Sequence, residues 1–134
     1  AFARMTFKED LWFTISPLDE EEQRMSNALG KGQGFVHVVF FWLKPGTPPG
    51  RIQSMIEDCK TCLGSIETVK DLKVCRPAGT ARNVVDNSYD VSLVVLFENR
   101  EGHDYYQMAK KHIEFIERNK EFWERVQVYD MIPR

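Results

Sequence analysis

From Phe35 onward the apolar positions fall into a regular succession of periods. FVHVVFFWL at 35–43 is apolar almost throughout, as expected of a central strand covered on both faces. Val36, Val38, Phe40 and Trp42 point to one side of such a strand, and His37, Val39 and Phe41 to the other. PGTPPG then breaks it. In RIQSMIEDCKTCLGSI the residues Ile52, Met55, Ile56, Cys59, Leu63 and Ile66 recur at three- and four-residue spacing, which predicts one buried face of a helix. TVKDLKVCRP predicts a second strand, polar enough for a sheet edge, and GTARNVVDN a loop. SYDVSLVVLF alternates, with Tyr89, Val91, Leu93, Val95 and Phe97 on one side and Ser88, Asp90 and Ser92 on the other. A second helical stretch runs over about 101–122, and VQVYDMI predicts a fourth strand. The order β-α-β-β-α-β gives an α+β fold, a ferredoxin-like unit over residues 35–134.

This architecture carries a demand of its own. Two helices cover one face of a four-stranded sheet, and the other face needs a partner. The first strand offers apolar groups to both faces, so sheet-to-sheet packing of two copies into a closed symmetric homodimer is expected. Residues 1–34 lack a clear core pattern and read as an appended arm. Within it SPLDEEEQRMSNAL predicts a short helix, with Ser16 as cap, Pro17 in the first turn and acidic residues behind them. GKGQG at 30–34 reads as a flexible joint.

Composition narrows the class. At 134 residues, with 43% hydrophobic and 28% charged positions, the chain suits one globular domain. A formal net charge of −2 gives no electrostatic reason to expect nucleic acid. The arm holds four Lys/Arg against six Asp/Glu, leaving fourteen of each sign in residues 35–134, so the domain is formally neutral. The longest strongly apolar run is FVHVVFFWL, nine residues, whereas a membrane-spanning helix needs roughly 20. The opening AFARMTFKEDLWFTI has acidic residues where an export signal needs its apolar stretch. Three cysteines, an odd count, do not suggest a disulfide framework, and a reducing cytoplasm is expected.

Several pieces of the chain, taken in order, resemble one family. VHVVFFWLK at 36–44, RNVVDNSYDVSLVVLFEN at 82–99, Tyr106 through Phe115 and WERVQVYD at 123–130 are similar to the stress-responsive A/B barrel (Dabb, dimeric α/β barrel) domain family. The resemblance covers the domain and none of the arm. It implies the ferredoxin-like unit already derived, paired through its sheets into a homodimeric barrel. It also implies a choice of functions, since some members are known mainly as stress-induced stable proteins. A plant branch closes poly-β-keto chains by aldol condensation, with a tyrosine and a histidine six residues apart on the second helical stretch and a first-strand histidine nearby. Tyr106, His112 and His37 match those three positions. The sequence departs from that branch where Ala109 and Lys110 replace a His-Pro pair and where Val91 replaces a third pocket histidine.

The resemblance and the helical wheel disagree about one tyrosine. On an unbroken helix His112 lies among Met108, Phe115 and Ile116 with Tyr105 in line, and Tyr106 falls about 120° around. A break between Met108 and Lys111 would bring Tyr106 into register instead. The chemistry suits either pairing: an imidazole titrating near neutrality takes an acidic α-proton while a phenol donates to a carbonyl oxygen. The site expected is therefore His112 as general base, Tyr106 (or Tyr105) as proton donor and His37 as orienting group. Its ligand would be a small apolar or keto compound handled by cyclase- or isomerase-type chemistry without cofactor or metal. The competing expectation is a non-enzymatic stress-associated dimer whose core histidines are satisfied by structural partners. Haem binding through His112 is a third reading, with no other haem feature beside it. CKTC at 59–62 lies late in a helix with Cys59 on its apolar face, and reads as core packing rather than as a redox or zinc motif. Asp86, Asp90, Arg82 and Asp130 read as structural partners on the dimer side of the sheet, and His103 as solvent-exposed. KPGTPPG lacks the spacing of a phosphate loop.

Overall fold

The computed structural model describes residues 3–7, 10–15 and 34–134. Strands β1 (Ala3–Phe7) and β2 (Asp10–Ile15) pair antiparallel as a two-stranded sheet of their own. The arm therefore contains strands that its pattern did not announce. The expected helix in SPLDEEEQRMSNAL, and all of GKGQG except Gly34, lie outside the described residues.

The domain follows the predicted order. Strand β3 (Phe35–Leu43) leads into helix α1 (Pro49–Asp58), then strands β4 (Val69–Cys75) and β5 (Val91–Phe97). Helices α2 (Arg100–Met108) and α3 (Lys110–Asn119) precede strand β6 (Trp123–Met131). All pairings are antiparallel in the order β4-β5-β3-β6, so β3 is central and the more polar β4 is an edge. No helix among the described residues is long and apolar enough to cross a membrane.

Alternation decides which side each residue takes. Phe35, His37, Val39, Phe41 and Leu43 of β3 are buried beneath the helices, while Val36, Val38, Phe40 and Trp42 are only half-buried on the other side. Val91, Leu93, Val95 and Phe97 of β5 join the buried layer, with Met55, Leu63, Phe115, Ile116 and Trp123 supplied from above and from the edge strand. Each large apolar side chain so buried contributes roughly 1.5–3 kcal/mol. Tyr89 departs from expectation. Its ring lies 4.9 Å from that of Phe40, on the uncovered side. The alternation does not reach it because β5 begins only at Val91.

The helices differ from the prediction in two local features. The first continues from α1 into a π-helical turn, Cys59–Leu63, which buries Cys59, Cys62 and Leu63 together. A Cβ on Gly64, where this turn ends, would lie 2.5 Å from the Lys60 carbonyl oxygen, so the close return of the chain needs glycine. The CKTC pair is core packing, as expected: Cys59 is fully buried, and burial pushes its thiol well up. The second helical stretch is broken. Asn99 caps α2 through its side chain, and at Ala109 the backbone turns extended (φ −65°, ψ 141°) before α3 begins. The amides of His112 and Ile113 both bond to the Ala109 carbonyl, which opens the new helix.

Candidate functional site

The break at Ala109 determines which tyrosine turns inward. Tyr106 is buried, 1% exposed, with its ring 4.7 Å from that of His112 and nearly edge-on to it. Tyr105 is half-exposed and its hydroxyl donates to Glu67 at the surface, a bond that raises its pKa. The residues on one inner side are thus Tyr106 and His112, and Tyr105 is not with them. His37 rises from the middle of β3 towards the same place, 5.7 Å from the Tyr106 ring.

Two further groups complete the row, and both correct the expectations above. Asp130 stands directly opposite His37 in the β3–β6 register, and its Oδ1 lies 2.5 Å from His37 Nδ1. It is on the helix side of the sheet, not the dimer side. The period of two from Val126 and Val128 to Asp130 carried that information. His103, expected in solvent, is buried: its ring stacks on Phe35 at 4.4 Å and lies 4.9 Å from His37. It precedes Tyr106 by three residues, one helical turn, so a face that buries Tyr106 buries His103 as well. Asp86 and Asp90 keep local structural roles, with Asp86 accepting from the Ser88 amide and Asp90 from the Leu43 amide.

The electrostatics follow from burial. Burial pushes His112 down to about 3, helped by the neighbouring His37 and His103, so its imidazole is neutral across the working range. Burial holds the Tyr106 phenol well above its ordinary value, with Cys59 and Asp130 adding to the effect. His37 is also lowered by burial, against the opposing pull of its bond to Asp130. Burial raises Asp130, but the His37 hydrogen bond and the nearby His37, His103 and Arg100 outweigh it and leave the carboxyl below its usual range. Since a carboxylate only accepts, His37 Nδ1 is the donor and its Nε2 carries the lone pair. The row Asp130–His37–Tyr106–His112 therefore contains a phenol that keeps its proton and two imidazoles that burial holds neutral. Its solvent-facing end is Asp130, whose side chain is 39% exposed.

Residues 35–133 match the family model described as the stress responsive A/B barrel domain. The chain belongs to the stress-responsive A/B barrel family. The match spans the ferredoxin-like unit, and the domain's solved structural neighbours share its fold. A dimeric ferredoxin-like protein of unknown function from Thermobifida fusca superimposes with a TM-score of 0.66 at 16% identity, covering 76% of this chain and 92% of its own. A Dabb family protein from Mesorhizobium loti gives 0.63 at 20% identity, covering 75% and 97%. The hydroxynitrile lyase of Passiflora edulis gives 0.68 at 16% identity, covering 77% and 95%. No curated protein sequence matches the chain. At these identities the likeness shows the A/B barrel fold and leaves the chemistry to the site.

Proposed function

We propose that this A/B barrel protein works as a homodimer with a small-molecule site for cofactor-free acid/base chemistry on a keto or lactone compound, of cyclase or isomerase type. In this reading His112 is the general base, Tyr106 the proton donor and His37 the orienting group, itself held by Asp130. The observation that carries it is the break at Ala109, which turns Tyr106 and His112 onto one another across two helices. An uninterrupted helix would separate them by about 120°.

The chemistry balances with these groups alone. The neutral His112 takes a proton from the carbon beside a carbonyl and becomes imidazolium, while the electron pair moves to the carbonyl oxygen. Tyr106, which keeps its proton, donates a hydrogen bond to that developing oxyanion. The enolate then attacks a second carbonyl or is reprotonated at another carbon, and His112 returns its proton. The Passiflora neighbour, a hydroxynitrile lyase, supports the fold as a setting for catalysis. The homodimer is supported by the half-exposed apolar sheet face and by neighbours described as dimeric.

A second reading rests on a specific observation. Tyr106 and His112 are only 1% and 3% exposed, as core groups of a stable non-enzymatic dimer would be. Thermal-shift screening of β-diketones and lactones separates the two, using EDTA-treated wild type beside His112→Ala and Tyr106→Phe. A ligand should stabilise the wild type and lose its effect in His112→Ala while circular dichroism shows the fold retained. Equal stabilisation of both proteins, or no hit for the wild type, would favour the structural dimer.

A further inference from the structure

His37, His103 and Asp130 offer one ligand atom each, and these atoms all lie within 4.8 Å of one another. We infer that these three residues form a binding site for a first-row divalent cation, with zinc the best-matched ion. The inference goes beyond the acid/base reading, which assigns the reacting protons to Tyr106 and His112 and shares with it only His37 and Asp130, whose mutual hydrogen bond the ion would replace.

The ligand set has the right chemistry and comes from three separate elements. His37 is on β3, His103 on α2 and Asp130 on β6, so the fold itself brings together two imidazoles and one carboxylate. That set suits zinc and its first-row neighbours, and three protein ligands leave a coordination position open. Metal–ligand bonds of roughly 2.0–2.2 Å in a tetrahedron place ligand atoms about 3.4 Å apart. His103 Nε2 and Asp130 Oδ2 are 3.9 Å apart, which small side-chain rotations would close. His37 Nδ1 and Asp130 Oδ1, now 2.5 Å apart, would exchange their shared proton for the ion.

His103 is held at both ring nitrogens, by Asp104 and by Gln107. Its Nδ1 lies 3.1 Å from Asp104 Oδ1, and a carboxylate can only accept, so Nδ1 carries the hydrogen and the Nε2 lone pair accepts from the Gln107 amide. A carboxylate behind an imidazole in this way fixes its orientation towards a metal. Gln107 is an independent sign. Its amide nitrogen donates to His103 Nε2 at 3.1 Å, a bond that an ion on Nε2 would replace, while its Oε1 is buried with no hydrogen-bond partner among the described residues. A buried acceptor beside the cluster suits a metal-bound water, which would donate to it. Asp130, 39% exposed, gives an ion its way in.

Untagged, metal-stripped protein carrying Cys75→Ser, which removes the exposed thiol, would be titrated with Co2+ and read by visible absorption, then with Zn2+ by calorimetry. One equivalent per chain should bind, with a tetrahedral or five-coordinate cobalt spectrum. His103→Ala and Asp130→Asn should each weaken Zn2+ binding by 100-fold or more, Asp104→Asn by about tenfold, and His112→Ala not at all. Far-UV circular dichroism establishes that each variant is folded, and the half-exposed Asp130 provides a variant with the hydrophobic core intact. No cobalt spectrum for the folded wild type, or equal Zn2+ affinity in wild type, His103→Ala and Asp130→Asn, would overturn the site. The ligand screen above uses EDTA-treated protein and is read at His112, so either proposal can fail without the other.

Discussion

Protonating His112 works against the folded state, because its imidazole is buried where a charge is poorly solvated. The ordinary value of 6.5 applies to the unfolded chain and about 3 to the folded one. The unfolded chain therefore binds the proton first as pH falls. Stability is complete above about pH 6.5 and is lost progressively towards pH 3, by an amount on the order of 5 kcal/mol if the whole shift is realised. Urea unfolding at pH 7, 6, 5 and 4 should show the wild type losing stability faster than His112→Leu. Parallel curves would show that His112 is not the group responsible. At this scale the sequence was partly legible. Family register singled out Tyr106, His112 and His37, and the structure brings those three together. His103 and Asp130 depart from expectation, because a place at the start of a helical stretch does not report phase with Tyr106, and a polar side chain on the last strand does not report phase with Val126 and Val128.

At the scale of elements the decisive feature is the break between α2 and α3, and its geometry makes a proline prediction. Ala109 already has the extended conformation that a residue before proline adopts, and Lys110 stands at the first helical position, where the amide has no intrahelical partner. Lys110→Pro should therefore be accommodated and should stabilise the protein by about 0.4–1 kcal/mol, chiefly by restricting the unfolded chain. The same substitution at Ile113 removes the amide bonded to the Ala109 carbonyl, and should cost about 3 kcal/mol or more. Differential scanning calorimetry of the two variants checks both signs. Periodicity alone was ambiguous here, because six-residue spacing reads differently on one helix and on two. The π-helical turn at Cys59–Leu63 is a similar case: the apolar face was evident, but a three- to four-residue spacing does not report one wider turn.

For the whole molecule, the uncovered side of the sheet is the main consequence of the fold. Val36, Val38, Phe40 and Trp42 are half-buried there, Leu96, Tyr129 and Met131 are exposed, and a hollow of about 240 Å³ lies between Phe40, Trp42, Tyr89, Arg125 and Tyr129. Arg125 lies over the Trp42 ring at 4.3 Å, so a cation is available at the edge of an otherwise aromatic face. If two copies close over this face, Phe40→Asp should convert a dimer into a monomer in sedimentation-velocity runs at micromolar concentration, because two carboxylates would be buried without partners. A variant that still sediments as a dimer would place the contact elsewhere.

By itself the sequence determined the succession of strands and helices, the central position of FVHVVFFWL, the polar edge of β4 and the two-sided character of the sheet. Each follows from periods of 2 and 3.6, which say how neighbours in one element are oriented. Only the tertiary structure decided that Tyr106 rather than Tyr105 turns inward, and that His103 and Asp130 converge on His37. Those outcomes depend on where one element ends and how closely another packs on it, and a period within a single element contains neither quantity.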